Sequence, residues 1–170
     1  MAFTYDKTQV TKREYNLYIG LTGGGITSFD QDEAISATKA IKIGVLAEQP
    51  KITTDKGEDV PLNTGAKVVI SENITFEAIV YEVTSANYEA LRELITEEGV
   101  DIFLTDGTAW SFASGVPTPT ASSGAQAITI SNMSIYPALE ILGNGQNKIT
   151  LSAERETGVT DANVTITQLA

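Results

Sequence analysis

The sequence predicts a mainly β fold with one α-helix, built as a rolled β-sandwich or barrel of two packed antiparallel sheets. Several segments alternate apolar and polar residues with period two, which is typical of strands that bury one face. One late segment shifts the phase of this alternation, as a strand that bends between two layers does. One segment near the middle has apolar residues at helical spacing. We expect a single domain over residues 1–170, because a chain of this length buries a core without a disulfide or metal.

Four segments alternate clearly enough to be half-buried strands. They are residues 14–21, 40–47, 148–155 and 163–169, and we expect the last of them to close a sheet. The predicted buried positions are Tyr15, Leu17, Ile19 and Leu21; Ile41, Ile43, Val45 and Ala47; Ile149, Leu151 and Ala153; and Val164 and Ile166.

The segment 73–83 is apolar on one face at first and on both faces in its second half. The first face carries Ile74, Phe76, Ala78 and Val80, and the second face adds Ile79, Tyr81 and Val83. An open antiparallel sheet usually leaves one face in water. The second face must therefore be covered by the helix, by another sheet or by another subunit.

The helix is predicted over residues 86–98. Thr84 or Ser85 caps its start and Gly99 ends it. The apolar positions at helical spacing are Tyr88, Leu91, Leu94 and Ile95.

The segment 100–112 is predicted to form a hairpin around Asp106-Gly107, a dipeptide that suits a type I′ turn. In this register Phe103 faces Trp110, and Phe112 lies on the same side. Core packing or a subunit contact would cover these rings. The alternative is that they form a platform on which a carbohydrate stacks.

The segment 127–142 changes the phase of its apolar residues between Ile130 and Met133. A bulge or bend near Ser131 and Asn132 would produce this change. Pro137 cannot donate to a ladder, so we expect this stretch to lie at a sheet edge or to divide into two strands.

Three stretches are predicted to be long loops, namely residues 22–39, 48–65 and 113–125, and residues 1–13 are predicted to be a flexible N-terminal arm. Connections of this length are uncommon in compact domains unless they are functional or disordered.

Composition restricts the possible functions more than any motif does. The chain has no histidine and no cysteine, which removes catalytic triads, Cys-His pairs, ordinary zinc sites and redox dithiols. Its 22 acidic and 11 basic residues give a formal charge of −11, which argues against binding to nucleic-acid phosphates or anionic lipid. We expect no enzymatic activity, with a two-carboxylate hydrolase as the open alternative. Without a secretory signal or an apolar span, synthesis in a cytoplasm is expected.

No cofactor or metal is expected either. The acidic cluster Asp30, Asp32 and Glu33 lacks the glycine and the final glutamate of a calcium loop. A second cluster, Asp55, Glu58 and Asp59, is typical of a solvated turn. The triple glycine at 23–25 is not followed by a phosphate-binding motif.

The chain resembles bacteriophage tail tube proteins, a family related to the tubes of contractile injection machines. The resemblance is one of pattern and rests on two segments, Ala40–Leu94 and the closing pair Ala138–Glu154. It implies a tail-tube-like fold and hexameric rings whose inner sheets join across subunits into one large β-barrel. Stacked rings would form a tube that conducts DNA without specific binding. The implied partners are further copies of the chain and tape measure, baseplate and terminator proteins, and the implied location is the virion tail, after synthesis in the bacterial host cytoplasm.

This resemblance and the two-faced strands together give the candidate subunit-interface residues. The loop 48–65 would reach a neighbouring subunit or ring, and adjacent protomers would cover the two-faced strands. The candidates are Asp55, Glu58, Asp59, Leu62, Asn63, Ile79, Tyr81, Val83, Phe103, Trp110 and Phe112. Two other functions stay open: another virion subunit, such as a head-completion or tail-terminator protein, and a carbohydrate-binding β-sandwich that uses Trp110 and Phe112.

Overall fold

The structure is a computed structural model that describes residues 14–23, 25–30, 35–81, 85–96, 99–106, 110–113, 115–119, 126–141, 147–158 and 164–168. Over these residues the fold is mainly β with a single short helix, as the sequence predicts. The helix α1 (Ser85–Glu93) continues into a 3-10 turn at Leu94–Thr96. The strands are β1 (Asn16–Leu21), β2 (Ser28–Asp30), β3 (Lys39–Lys42), β4 (Val45–Leu46), β5 (Lys51–Lys56), β6 (Asp59–Pro61), β7 (Lys67–Val69), β8 (Ser71–Tyr81), β9 (Val100–Thr105), β10 (Trp110–Ala113), β11 (Val116–Pro119), β12 (Gln126–Ile141), β13 (Asn147–Gly158) and β14 (Val164–Gln168).

One large sheet carries the fold, and its two halves pack against each other. The first half contains β2, β3, β1, β9 and the beginning of β12, with β14 on the other side of β12. The second half contains the end of β12, then β13 and β8, with β4 and β5 along the outer side of β8. Neighbouring strands are antiparallel except β2 and β3, which pair in parallel. Strand β12 therefore belongs to both halves.

The main core lies between the inner faces of the two halves. Leu17 and Ile19 of β1 meet Phe76 of β8 and Leu151 of β13 in one cluster, and Leu91 adds the inner side of the helix. Strands β1, β8 and β13 bury the faces that the alternation predicts. Burial of these side chains is the main source of the free energy of folding.

Strand β12 passes between the halves at a β-bulge, which confirms the predicted phase shift. Its pairing with β9 skips from Ile130 to Met133, and Asn132 adopts a φ of 59°. Asp101 Oδ1 accepts the Asn132 N–H at 2.9 Å and the Thr22 hydroxyl at 2.7 Å. These hydrogen bonds hold the bulge against the first half of the sheet.

Beyond the bulge, β12 lies at a sheet edge, as Pro137 predicts. Residues 134–141 pair with β13, and no described strand pairs with their other side. Pro137 lies opposite Leu151 in this ladder. A proline is tolerated here because only one side of the strand has to donate hydrogen bonds.

Strand β9 is covered on both faces by its own chain. Ile102 and Leu104 belong to the main core, and Phe103 is fully buried in a second cluster with Ile26 and Ala40. The Phe29 ring packs at a centroid distance of 4.3 Å from Tyr18, and burial raises the pKa of the Tyr18 phenol. The apolar second face of this segment therefore has an intramolecular partner.

The hairpin predicted around Asp106-Gly107 is wrong. Strand β9 pairs with β1 on one side and β12 on the other, so neither side is left for β10. Strand β10 pairs with β11 instead, and Trp110 lies opposite Pro119 rather than Phe103. The turn signal is local, whereas the pairing of β9 is decided by strands distant in sequence.

Other boundaries also differ from those predicted. The strand predicted at 40–47 breaks at Ile43 and Gly44, because β3 pairs with β1 in one half and β4 with β8 in the other. The three predicted loops contain β2, β5 and β6, and β11, so they are not structureless. The helix ends earlier than residue 98, and residues 97 and 98 lie outside the described residues, as does the predicted N-terminal arm at 1–13.

Substitutions of Asn132 will test whether the bulge depends on its backbone conformation. Asn132→Ala and Asn132→Gly both remove the side-chain amide, but only alanine places a Cβ on a residue with positive φ. We expect Asn132→Ala to be less stable than Asn132→Gly by about 1 kcal/mol in urea unfolding. Equal stability of the two variants would contradict this account of the bulge.

Candidate assembly surface

The second half of the sheet has an exposed polar face that points away from the core. Its four longer strands, called the four-stranded half below, are β5, β8, β13 and residues 134–141 of β12, and the two-residue β4 pairs with the end of β8 on the same side as β5. The ladders β5–β8, β8–β13 and β13–β12 place one residue of each strand side by side. These residues form rows that run across the four strands. Two such rows are Lys51, Glu77, Ser152 and Tyr136, and Thr53, Thr75, Glu154 and Ser134.

This polar face is acidic. Five carboxylates and two lysines lie on it, so its formal charge is −3 per chain. Lys148 Nζ binds Glu140 Oε2 at 3.2 Å at one end of the face. The seven charged residues are Asp55, Glu77, Glu140, Glu154, Glu156, Lys51 and Lys148.

Both edges of the four-stranded half are free among the described residues. On one side residues 134–141 of β12 pair with β13 alone, and on the other side β5 pairs with β8 alone. Free edges expose backbone N–H and C=O groups that can pair with another strand. The two edge strands run in opposite directions, because each of the three ladders between them is antiparallel.

A hairpin of residues 57–70, called the projecting hairpin, extends β5 and β8 beyond the end of the sheet. Lys56 lies opposite Glu72 in the β5–β8 ladder, and Asp59 lies opposite Val69 in the β6–β7 ladder, so the same register continues through both. The hairpin closes at Gly65, which has a φ of 82° and donates its N–H to Leu62 O at 3.0 Å. The loop predicted at 48–65 is therefore one side of a long β-ribbon.

One side of the projecting hairpin is apolar and uncovered. Val60 lies opposite Val68, and Leu62 donates its N–H to Ala66 O at 2.7 Å, so the even-numbered residues of β6 and β7 share one side of the hairpin. Its four large apolar residues are 44–45% exposed, and they are Val60, Leu62, Val68 and Ile70. A two-stranded ribbon with a bare apolar side is marginal in water, which marks this side as a contact surface.

Polar contacts fix the base of the projecting hairpin. Asp59 lies between Lys56 and Lys67, with Lys67 Nζ at 3.8 Å from its carboxylate. The Ser71 hydroxyl accepts the Glu58 N–H at 2.7 Å and donates to Glu156 Oε1 at 2.8 Å. These contacts join the hairpin to the end of the sheet.

The structure brings only some of the predicted interface residues to one place. Asp55, Glu58, Asp59, Leu62 and Asn63 all lie on the ribbon formed by β5 and the projecting hairpin. Ile79 and Tyr81 are half-buried on the polar face of β8, at the end away from the hairpin. Val83 lies outside the described residues.

The three predicted aromatic residues do not form a shared exposed platform. Phe103 is fully buried within its own chain, and the half-buried Phe112 contacts Phe29 edge-on at a centroid distance of 4.7 Å. Trp110 is half-buried, and its indole nitrogen is buried without a hydrogen-bond partner among the described residues. This arrangement offers no row of exposed rings for a sugar.

The acidic cluster at residues 30–33 is only partly described by the structure. Asp32 and Glu33 lie outside the described residues, and Asp30 contacts Lys39 and Ser28. In the described ranges, no three acidic side chains come together closely enough to hold a metal ion. In the same ranges, neither the length nor the hydropathy of any helix suits a membrane span.

Sequence reasoning missed several residues of this surface. Val60, Val68 and Ile70 alternate with polar neighbours, but Gly57, Pro61 and Gly65 favoured a loop prediction. Leu139 and Ile141 share the apolar phase of Met133 and Ile135, yet they are 37% and 73% exposed because β12 runs past the end of the core. Their alternation was visible in the sequence, whereas the length of the neighbouring strands was not.

Replacing the projecting hairpin will test whether the fold depends on it. Residues 59–69 can be exchanged for Asn-Gly, since Ile70 donates its N–H to Glu58 O at 2.9 Å and the two chain ends are adjacent. We expect an unchanged circular dichroism spectrum and a loss of at most about 1 kcal/mol, because the exposed ion pairs contribute little. Deleting Asp55–Asn63 is the contrasting variant, and it should unfold the chain more readily because it also removes part of β5. Equal effects would show that the hairpin is part of the folding unit.

Two comparisons with known proteins give no relative of this chain. No protein-family model matches the chain, and a search of the curated proteins gives no match. The function proposed below therefore depends on the geometry of the surface and on the pattern resemblance noted above.

Proposed function

We propose that this chain is a structural subunit, without enzymatic activity, of a phage tail tube that assembles as stacked hexameric rings around a DNA-conducting channel. The observation that supports this most is the pair of free edges on the four-stranded half. One edge is β5 and the other is the end of β12, and they run in opposite directions. Each edge can therefore form an antiparallel ladder with the other edge of an identical copy.

An even number of alternating strands allows a ring to close. In copies related by rotation, β5 of one copy meets β12 of the next, and the alternation of strand direction continues without a break. Ring closure also removes both edges from solvent, which protects the sheet against uncontrolled pairing. Four strands from each of six copies give twenty-four strands, which at about 4.8 Å per strand enclose a barrel about 37 Å across before strand tilt is included.

The charge of the polar face fits the lining of a DNA channel. The apolar side of the four-stranded half is covered by the rest of the chain, so the polar face is the side that would face the axis. Its charge of −3 per copy would repel phosphates and let DNA slide without being held. The proposed partners besides further copies are the tape measure, baseplate and terminator proteins, and the proposed location is the virion tail.

Electron microscopy combined with hydrogen exchange will test the ring. We expect six-fold rings and hollow tubes in negative stain. On assembly, amide exchange should slow at residues 51–56 and 134–141, because their free edges become paired. Strand β2, the edge of the first half, should keep its rate. Rings that never stack would indicate a head-completion or tail-terminator subunit, and assembly without protection of these two strands would contradict the barrel.

Charge reversal will test which face lines the channel. Glu77→Lys with Glu154→Lys changes the polar face from −3 to +1 per copy. We expect preassembled variant tubes to retain linear duplex DNA in a salt-sensitive manner but not covalently closed circles, which cannot enter an open tube end.

The matched control for this charge reversal is Glu89→Lys with Glu93→Lys, which makes the same change in total charge on the exposed side of the helix. Tubes of this control should retain neither form of DNA. Equal retention of circles and linear duplex by the polar-face variant would place that face on the outside of the tube and refute the assignment.

A further inference from the structure

The hydrogen-bonding pattern of the four-stranded half shows which backbone groups its β5 edge offers to a partner. Residues of an antiparallel strand bond alternately to the neighbour on one side and to the neighbour on the other. Gly57 donates its N–H to Ser71 O at 2.9 Å, so the odd-numbered residues of β5 bond to β8. The free edge of β5 therefore presents the N–H and C=O groups of Ile52, Thr54 and Lys56.

Pro137 fixes the pattern independently at the β12 edge. A proline has no N–H, so Pro137 cannot exchange two hydrogen bonds with Leu151, and the odd-numbered residues beyond the bend bond away from β13. Following the alternation from β5 through β8 and β13 gives the same result. This edge presents both backbone groups of Ile135, Leu139 and Ile141 but only the C=O group of Pro137.

The backbone groups on both edges belong to residues whose side chains face the core. Ile52 lies opposite Phe76, and Ile135 lies opposite Ala153, in a row of core side chains. A ladder between two copies must therefore pair core-facing residues with core-facing residues. The permitted registers differ by steps of two residues, since a slip of one residue would turn every side chain to the other face.

One of these registers matches the full length of both edges. When Lys51 lies opposite Glu140, residues 134–141 of one copy lie opposite residues 50–57 of the next. The lysine and the glutamate then form a pair of opposite charges on the polar face, beside the existing contact between Lys148 and Glu140.

The core-facing side chains support the same register. Ile52 of one copy would lie opposite Leu139 of the next, and Pro50 would lie beside Ile141. In a single copy Leu139 and Ile141 are 37% and 73% exposed. The neighbouring copy would cover both side chains and continue the apolar layer across the junction.

The two adjacent registers fit less well. A step of two residues in one direction would place Ser134 and Ile135 beside Asp59 and Glu58, where the bonding pattern changes because Ile70 donates its N–H to Glu58 O at 2.9 Å. A step in the other direction would place the end of β12 beside residues 48 and 49, which lie between β4 and β5 and belong to neither strand.

The register also determines the tilt of the strands in a closed ring. Within one copy Lys51 shares a row with Tyr136, whereas across the junction it would pair four residues further along β12. With six copies, a rise of about 3.3 Å per residue and a strand spacing of about 4.8 Å, this offset corresponds to a tilt of about 35°. Closed barrels typically have tilts of about 35–45°. Offsets of two or six residues would give about 19° or about 46°.

We propose that β5 of one copy pairs with residues 134–141 of the next copy in the register that places Ile52 opposite Leu139 and Lys51 opposite Glu140. This inference rests on the proposed ring assembly and specifies the residue pairs at each junction. Thr54 would lie opposite Pro137, so each junction lacks one hydrogen bond at that position.

Disulfide cross-linking will test the register, because the chain has no cysteine of its own. Thr53 and Ala138 would face each other across the junction as a non-hydrogen-bonded pair with Cα atoms about 4.5 Å apart, which suits a disulfide. Within one copy β8 and β13 separate these residues. We expect Thr53→Cys with Ala138→Cys, assembled in reductant and then oxidised, to give a ladder of covalent oligomers up to six chains on a denaturing gel.

The matched controls combine Thr53→Cys with Tyr136→Cys or with Glu140→Cys, which moves the second cysteine by two residues on the same face. Each should give at least about tenfold less product, since the Cα atoms would then lie more than about 7 Å apart. A stronger ladder from either control would overturn the register while leaving the ring intact. Rings that give no ladder from any of the three proteins would also overturn it. A wild-type chain that forms neither rings nor tubes would refute the proposed function instead, and with it the basis of this inference.

A charge exchange tests the same register without cysteines. Lys51→Glu should raise the protein concentration needed for rings about fivefold, because two carboxylates then face each other at each junction. Adding Glu140→Lys should bring that concentration back to within about twofold of wild type. The matched control adds Glu154→Lys instead, which makes the same change in total charge on the polar face but lies on β13, away from the junction. Equal recovery with both second substitutions would contradict the pairing of Lys51 with Glu140.

Discussion

The bend of β12 at Asn132 is the constraint on which the other features of this fold depend. Before the bend, β12 lies between β9 and β14 and both of its sides are paired. After the bend it pairs with β13 alone, and the four-stranded half gains a free edge. Asp101 holds the bulge by accepting the Asn132 N–H, and a side chain at Gly99 would collide with Asn132. The bulge thus lets β12 take part in both halves around the core, and it leaves residues 134–141 as a free edge that can pair with another strand.

Much of the fold could be predicted from the sequence because period-two alternation reports which side of a strand is buried. Leu17, Phe76 and Leu151 are buried as the alternation requires, and the phase change between Ile130 and Met133 marks the bend. Alternation does not report which strand is the neighbour. The Asp106-Gly107 signal therefore failed, because β1 and β12 occupy both sides of β9.

The candidate surface was less predictable from the sequence. A strand with a second apolar face can have that face covered by its own chain or left partly exposed, and the sequence pattern is the same in both cases. Phe103 and Ile79 both lie on the second apolar face of a strand. Phe103 is covered by Ile26 and Ala40 from distant parts of its own chain, whereas Ile79 stays half-buried on the polar face. The pairing of strands that are distant in sequence decides which residues cover a given face. The alternation of Val60 and Val68 was likewise obscured by the turn-forming residues around them.

The β5–β8 ladder and the projecting hairpin share the same register, which limits how this segment can vary in length. Side chains alternate between the two sides of a strand, so one extra residue between Gly57 and Asp59 would turn Val60 and Leu62 to the opposite side. Insertions should therefore be tolerated at the tip, around Asn63 to Ala66, and not in the stem. Related chains are expected to differ in the tip while keeping the same stem length.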